Sequence, residues 1–329
     1  MTRLRPQVPR EDLMRLMQFR PVYTHAKILL FVAIMVMLGA IVWNTESVWL
    51  RWMAYIGLGY MQMGMVTFMH DATHNVLFEP RWENWAFGII AMTPLLASFV
   101  AFKEDHLEHH RYNRSYQDPD AFTMGKRGPL DFVVFYLYIA ASALLSFLHF
   151  NLLYPIGKFN RRNWAIHVGE TLFKVAVYTV LLTWAYRHGV LDKTLGLVLY
   201  PILFFSFFNA MRFISEHYET PWNEGKLTGT RTVISNPVHS WFWNNINWHI
   251  GHHVFPRVPY YNLVELHKMI EPDIDGLGAL VDRSYVAVFL KALWRGPESE
   301  PRLAEFLKQR GRVRKRAEVL ARLPSVRGA

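Results

Sequence analysis

The sequence contains no cysteine among its 329 residues. This absence excludes disulfide bonds, cysteine-ligated iron–sulfur clusters and haem held by a thiolate. Charged residues are also scarce, at 19%, whereas hydrophobic residues make up 52% and aromatic residues 15%. Such a composition is too apolar for an ordinary soluble enzyme of this size and indicates a protein embedded in a membrane.

The chain also lacks the sequence signals of a nucleotide cofactor and of a cleaved leader. No Gly-rich dinucleotide-binding fingerprint follows a strand, so we expect no built-in flavin or nicotinamide domain. The first twenty residues include several charged side chains, and no small-residue cleavage site accompanies the first apolar run. We therefore expect this run to be retained as a membrane anchor. Electrons for any redox chemistry would therefore come from a separate protein.

Long apolar runs predict an all-α integral membrane protein. Four runs have interiors that are nearly free of charge: residues 28–43, 49–69, 171–186 and 195–214. We expect each of them to cross the membrane. Two further runs, residues 85–102 and 132–150, are long enough to be considered as well.

Eight of the fifteen histidines form three short clusters, each close to an apolar run. The first has the spacing i, i+4 and the others have i, i+3, i+4, so a helix would present each set of imidazoles on one face. Imidazoles without a thiolate suit a borderline divalent metal, and there are enough of them for two ions. The clusters are His70 and His74; His106, His109 and His110; and His249, His252 and His253.

The clusters can share a metal site only if all three lie on one side of the membrane. A single crossing by residues 85–102 would separate the first two clusters, so we expect a re-entrant or interfacial hairpin that bends near Pro94. Between the second and third clusters, two crossings are allowed and three are not. The basic loop after residue 150 keeps residues 132–150 on the cytoplasmic side by the positive-inside rule. The prediction is about four transmembrane helices with re-entrant or interfacial helices and a cytoplasmic cap.

The formal net charge of +10 is concentrated at the two ends and in loops. Both ends are therefore predicted to be cytoplasmic and to contact anionic lipids, and no recognition motif suggests nucleic acid as a partner. We divide the chain into a cytoplasmic N-terminal segment (residues 1–27), a membrane domain with the three clusters (28–270) and a basic cytoplasmic helical tail (271–329). The expected location is a bacterial inner (plasma) membrane, with the metal site on the cytoplasmic side.

The clusters resemble those of the membrane fatty acid desaturases and their hydroxylase relatives, whose signature is HxxxH, then HxxHH, then a C-terminal HxxHH. The matching segments here are HDATHNVLF, HLEHHRYN and NWHIGHHVFPRVPYYNL. The resemblance covers roughly residues 53–270 and implies two iron ions with dioxygen as co-substrate. His217, in the segment SEHYE, stands where related desaturases carry a ninth histidine.

The resemblance also implies how the ligands are divided. One iron would take His70, His74, His106, His110 and His252, and the other would take His109, His217, His249 and His253. The chain departs from the family at one position. Some relatives place an asparagine four residues before the ninth histidine, and this position is Phe213 here. Asn209 is the candidate replacement.

A ligating imidazole usually donates its other N–H to a carboxylate or a carbonyl. We therefore expect polar residues in and beside the clusters to orient the ligands. The principal candidates are Asp71, Asp105, Glu108 and Asn247, and Glu104, Asp118, Asp120 and Asn245 lie close by. The other six histidines are expected to be structural.

The resemblance implies an oxygen-dependent, non-haem diiron oxidoreductase that acts on an unactivated C–H bond of a lipid acyl chain. The expected function is that of a fatty acid desaturase. Lipid or alkyl hydroxylation, carotenoid oxygenation and oxidative decarboxylation to a terminal alkene are alternatives for the same site. The electron donor would be a separate ferredoxin, rubredoxin or cytochrome.

A different class of function remains open, namely a histidine-rich membrane protein that binds or transports metal ions. Transport predicts ionisable residues within the spans, which are almost absent here. A metallohydrolase would need fewer imidazoles than this chain offers.

Overall fold

The computed structural model describes residues 6, 8–115, 117–119, 129–222 and 224–298. The described part is mostly α-helical, as predicted. Its helices are α1 (Arg10–Leu16), α2 (Pro21–Asn44), α3 (Val48–Thr73), α4 (Arg81–Met92), α5 (Phe99–Tyr112), α6 (Pro129–Leu148), α7 (Tyr154–Lys158), α8 (Arg161–Arg187), α9 (Leu191–His217), α10 (Pro237–Phe242), α11 (His249–Val254), α12 (Leu263–Leu277) and α13 (Tyr285–Arg295). A π-helical segment, His149–Leu153, joins α6 to α7. Two short strands, β1 (Arg231–Val233) and β2 (Leu280–Asp282), pair in parallel.

Helices α2, α3, α8 and α9 contain the four runs that were predicted to cross the membrane. They have 24, 26, 27 and 27 residues, and at 1.5 Å per residue each exceeds the apolar thickness of about 30 Å. Helix α3 packs along both α2 and α9. The ammonium group of Lys193 donates to the carbonyl of Trp43 at 3.2 Å. The α2–α3 and α8–α9 loops therefore lie together, at the end of the bundle opposite His70 and His217.

Length and composition alone select a slightly different set of spans. Within the described residues, the helices that qualify are Pro21–Asn44, Phe132–Lys158, Arg161–Arg187 and Leu191–His217. This set includes the segment that was predicted not to cross and leaves out α3. Helix α3 is less apolar because it carries Gln62, His70 and Asp71, which are buried within the protein. Its 26 residues still suffice to cross.

The start of α6 lies on the same side as the histidine clusters. The hydroxyl group of Tyr136 donates to the carbonyl of Leu293 at 3.0 Å, near the end of α13. Just beyond α13, the carbonyl of Gly296 accepts a hydrogen bond from the hydroxyl group of Tyr218 at 2.8 Å. Tyr218 directly follows His217, so this end of α6 is close to the cluster end of α9.

The other end of the same segment returns to the clusters. Lys158, at the end of α7, pairs with Glu108 at 3.0 Å, and Glu108 precedes His109. Between the two ends, Ala141 has φ −146° and ψ 46°, which breaks the helix. The segment from α6 to α7 therefore enters the bundle and turns back. These contacts agree with the prediction that residues 132–150 do not cross the membrane.

Residues 85–102 form two helices rather than one. Helix α4 ends at Met92, α5 begins at Phe99, and Pro94 lies in the turn between them. The predicted hairpin with a bend near Pro94 is confirmed. It places the end of α3 and the start of α5 side by side without a crossing.

A cap of short helices covers the cluster end of the bundle. Ile250 on α11 packs in a fully buried apolar core with Leu266 and Ile270 on α12 and Leu16 on α1. Helix α12 continues to Leu277, so the boundary predicted after residue 270 lies inside a helix. The basic tail beyond residue 298 lies outside the described residues, as do Arg3 and Arg5 near the N-terminus.

Candidate metal centre

The first two clusters lie on helix ends that face each other. His70 is in the last turn of α3, and His74 is the residue that caps its C-terminus. Helix α5 carries His106, His109 and His110, all of them buried on one face. The spacing of three and four residues puts these imidazoles on the same side of the helix.

A carboxylate from α8 holds the start of α5. The N–H groups of Phe99 and Val100 donate to Glu170 at 2.9 and 3.0 Å, and the hydroxyl group of Ser98 donates at 3.0 Å. The N–H groups in the first turn of a helix have no partner within the helix, and they favour a negative charge. Lys174 lies 3.4 Å from the same carboxylate, which is buried. Glu170 therefore fixes the helix that supplies three histidines.

The third cluster lies on the short helix α11, and strand β1 anchors its start. The N–H group of Val233 donates to the carbonyl of Asn247, and the Asn247 amide donates back to the carbonyl of Val233, both at 3.0 Å. Asn247 was expected to orient an imidazole through its side chain. The structure shows instead that it positions the backbone from which α11 begins.

Five imidazoles from all three clusters converge. One nitrogen atom from each of the five imidazoles lies within 4.8 Å of the corresponding nitrogens of the other four. The Nε2 atoms of His74 and His106 are 3.1 Å apart, and those of His110 and His252 are 3.0 Å apart. The first group consists of His70, His74, His106, His110 and His252. This is the set that the resemblance implies for one iron.

The remaining four histidines form a second group beside the first. The Nε2 atom of His249 lies 3.2 Å from that of His217 and 3.0 Å from that of His253. One nitrogen of His109 lies within 4.8 Å of nitrogens of His217 and His253. The rings of His110 and His253 stack with their centroids 4.1 Å apart, so the two groups are in contact.

The nitrogens are arranged as they would be around cations. A neutral imidazole has one N–H, yet the Nε2 atom of His249 faces two other Nε2 atoms at 3.0 and 3.2 Å. Within the described residues, neither ring nitrogen of buried His70 has a hydrogen-bond partner. Neighbouring nitrogens that each lie about 2.1 Å from one metal ion would be about 3.0 Å apart. The clusters therefore fit metal binding.

Burial keeps five of the cluster imidazoles on α5 and α11 neutral. It lowers their pKa well below the usual value, because a charged imidazolium is unfavourable away from water. The shift applies to His106, His110, His249, His252 and His253. A neutral imidazole offers the lone pair that a metal ion requires.

Asp118 is the carboxylate that lies behind a cluster imidazole. Its Oδ1 atom is 2.8 Å from Nδ1 of His109, and its Oδ2 atom accepts the N–H of Arg114 at 2.7 Å. All three residues are buried. With its proton on Nδ1, His109 carries its lone pair on Nε2, as a metal ligand held by a carboxylate would.

Two other predicted carboxylates have different partners. Asp105 pairs with Nε2 of His149 at 3.0 Å, although His149 is not in a cluster. Glu108 pairs with Lys158 at 3.0 Å. These contacts correct the expectation that Asp105 and Glu108 orient cluster imidazoles, because both carboxylates tie α5 to the segment that follows α6.

Asp71 holds the cap rather than a ligand. Its Oδ2 atom accepts the N–H of Tyr260 at 2.9 Å, whereas its Oδ1 atom is 3.8 Å from Nδ1 of His70, which is too long for a hydrogen bond. Asp120, another candidate, lies outside the described residues. The candidate replacement for the missing asparagine, Asn209, donates to Tyr138 at 3.3 Å and to Ser142 at 3.1 Å, both on α6.

Two buried acidic residues were not predicted from the sequence. Glu170 holds the start of α5, and Glu216 lies beside the second histidine group. The Oε2 atom of Glu216 lies 3.5 Å from Nε2 of His249 and 2.9 Å from Nη2 of Arg212. Both glutamates belong to long, mostly apolar helices. An ionisable residue in such a helix is itself a signal of function, and it would have found them.

Several known proteins are similar to this chain in sequence. The chain is similar to the sphingolipid delta(4)-desaturase/C4-monooxygenase DES2 of Rattus norvegicus, with 27% identity over 242 residues that cover 68% of this chain and 67% of the relative. It is also similar to the sphingolipid delta(4)-desaturase DES1 of Bos taurus, with 27% identity over 248 residues (70% and 68%). The corresponding DES1 of Homo sapiens is 25% identical over 270 residues (76% and 75%).

The model of the fatty acid desaturase family matches residues 46–285. This stretch contains the three clusters, His217, Glu170 and Glu216. The chain therefore belongs to the fatty acid desaturase family.

Proposed function

We propose that the protein is an oxygen-dependent diiron oxidoreductase that removes two adjacent hydrogens from a lipid acyl chain and so introduces a double bond. The observation that carries this proposal is the pair of histidine groups. One nitrogen from each of five imidazoles converges within 4.8 Å in the first group, as does one from each of His109, His217 and His253 in the second. His249 joins the second group through His217 and His253. An imidazole-rich site without thiolates suits iron. Membership of the fatty acid desaturase family supports a lipid substrate and an oxidoreductase.

In this proposal each histidine group holds one iron. The ligands are His70, His74, His106, His110 and His252 for the first iron, and His109, His217, His249 and His253 for the second. When bound and reduced, the iron pair supplies an oxidant derived from dioxygen that can abstract hydrogen from an unactivated C–H bond. The chain contributes a fixed set of ligands from α3, α5, α9 and α11, which the bundle and its cap hold in place.

The surrounding residues keep water from the reaction. Leu263, Leu266 and Ile270 of α12 are fully buried over α11, and Met69 is fully buried beside His70. A dry site protects a reactive oxidant from side reactions with water and stray reductant.

Hydroxylation is the second candidate function. One similar protein carries both activities in its name, a delta(4)-desaturase and a C4-monooxygenase. Both outcomes begin with removal of one hydrogen, and they differ in whether a second hydrogen leaves or oxygen is returned. Because several relatives are named for sphingolipids, we include sphingolipids with fatty acyl lipids among the substrates to test.

The apolar helices indicate a membrane protein. We propose that the metal centre and both termini face the cytoplasm, and that a ferredoxin, rubredoxin or cytochrome supplies electrons. The absence of cysteine supports an external donor. The three relatives named above are mammalian, so the bacterial inner membrane stays a prediction, as does the division of the chain at residues 27 and 270.

Product analysis by mass spectrometry tests the proposed reaction. The purified protein is reduced with dithionite and exposed to oxygen in the presence of acyl lipids and sphingolipids. We expect an oxygen-dependent product that is two mass units lighter than its substrate. A gain of sixteen would identify a hydroxylase, and loss of carbon dioxide together with two hydrogens would identify an oxidative decarboxylase. A protein that holds iron yet produces none of these changes would contradict the proposal.

A matched pair of histidine variants links the product to the clusters. His252→Ala should abolish turnover, because it removes a proposed ligand of the first iron. His188→Ala is the control, since His188 is exposed in the loop at the opposite end of the bundle. It should retain activity. Wild-type activity in His252→Ala would remove this residue from the site.

A further inference from the structure

Glu216 lies against the second histidine group. It is in the last turn of α9, directly before His217, and it is fully buried. Its Oε2 atom is 3.5 Å from Nε2 of His249. One carboxylate oxygen lies within 4.8 Å of a nitrogen of both His217 and His249. The carboxylate is therefore part of the polar surface that the second group presents.

The side from which Glu216 approaches its imidazole is informative. Asp118 contacts His109 at Nδ1, the nitrogen that a supporting carboxylate normally holds. Glu216 instead approaches His249 at Nε2. That same nitrogen faces the Nε2 atoms of His217 and His253. Glu216 is consequently on the side where the ligand nitrogens converge, not behind the ring.

Two other side chains adjoin the Glu216 carboxylate. The Nη2 atom of Arg212, one helical turn earlier on α9, lies 2.9 Å from it. Buried Tyr285 is its second neighbour. A buried carboxylate is costly to keep charged, and a metal cation beside it would lower that cost. The imidazoles of His217 and His249 lie on the same side of the carboxylate and could bind the same cation.

We propose that Glu216 provides a carboxylate oxygen to the metal ion of the second group. This inference rests on the proposed function, because it requires a metal in that group. The two sites are then chemically unequal. The first has five imidazoles, and the second has four imidazoles and one carboxylate. Glu216 would thus supply the fifth donor where some relatives have an asparagine and this chain has Phe213, since Asn209 is turned towards α6.

Mössbauer spectroscopy of the ferrous protein, enriched in ⁵⁷Fe, tests this ligand directly. Glu216→Gln removes the charge and keeps the volume. We expect one of the two ferrous doublets to change while the other does not, and the affinity for one iron to fall by about 10–100-fold or more. Asp105→Asn is the control, because it alters a buried carboxylate that pairs with His149. It should leave both doublets unchanged.

Glu216→Asp separates ligation from the ion pair. It keeps the negative charge beside Arg212 but withdraws the carboxylate from the metal by one methylene, so it should change the same doublet. This variant also serves if Glu216→Gln fails to fold, which size-exclusion chromatography in detergent would reveal. Wild-type spectra in a folded Glu216 variant would overturn the inference. A wild-type protein without two irons would instead overturn the proposed function on which it rests.

Discussion

The imidazoles of His109 and His70 differ in what holds their Nδ1 atom. Nδ1 of His109 contacts the buried carboxylate of Asp118 at 2.8 Å. Nδ1 of His70 has no hydrogen-bond partner within the part of the chain that the structure describes. A carboxylate at this position fixes the tautomer and the orientation of the ring and makes it a stronger ligand. Asp118 should therefore matter most for the metal held by His109.

Asp118→Asn should weaken iron binding in the second group by about 10–100-fold, because the amide cannot supply the same charge to the His109 ring. Competition with a chelator, followed by measurement of the iron retained, gives this affinity. Glu108→Gln is the matched control, since Glu108 neighbours His109 in sequence but pairs with Lys158. Equal iron retention in the two variants would show that Asp118 does not support a ligand.

Among the elements, α5 is tied to a remote part of the chain. It begins at Phe99, and the carboxylate at its N-terminus belongs to Glu170, 71 residues away. The same carboxylate is close to Lys174. Loss of Glu170 would leave the N–H groups of Phe99 and Val100 without a partner and a lysine buried without its counter-ion.

Glu170→Ala should lower the free energy of unfolding by about 3 kcal/mol, the range seen when one member of a buried ion pair is removed. The midpoint of thermal unfolding in detergent measures the effect. Glu265→Ala is the control, because Glu265 forms an exposed pair with Arg15 at 2.7 Å, and such pairs contribute less than about 1 kcal/mol. A similar midpoint for both variants would mean that Glu170 does not hold α5.

The sequence predicts structural elements well where the pattern is local, or where the number of membrane crossings between two histidine clusters must be even. The spacing within each cluster follows the helical period, and the need for all clusters on one side predicts both the hairpin near Pro94 and the return of the segment after α6. Partners brought together by the tertiary fold could not be predicted. Nothing near Asp105 or Asp118 in sequence shows that the first would meet His149 and the second His109. The helix break at Ala141 could not be predicted either, because no Gly or Pro lies close to it in sequence.

For the molecule as a whole, the two ends of the helix bundle differ. The histidine groups, the cap and both ends of the α6–α7 segment lie at one end. The α2–α3 and α8–α9 loops lie at the other, where Lys193 contacts Trp43. This arrangement requires four crossings, by α2, α3, α8 and α9.

Single cysteines can test this topology, because the natural chain contains none. We expect Arg161→Cys and Lys268→Cys to react with an impermeant thiol reagent from the same side of the membrane, and Glu46→Cys to react from the opposite side. All three positions are exposed. If residues 132–150 crossed the membrane, Arg161→Cys would instead react from the same side as Glu46→Cys.

We propose that nine histidines hold two metal ions in two adjacent groups. The most direct test is the iron content of purified protein, compared among the wild type, His252→Ala and His217→Ala. We predict two irons per chain in the wild type and one in each variant, because each variant removes a ligand from a different group. No iron in the wild type after iron-replete expression, or two irons in both variants, would contradict the claim.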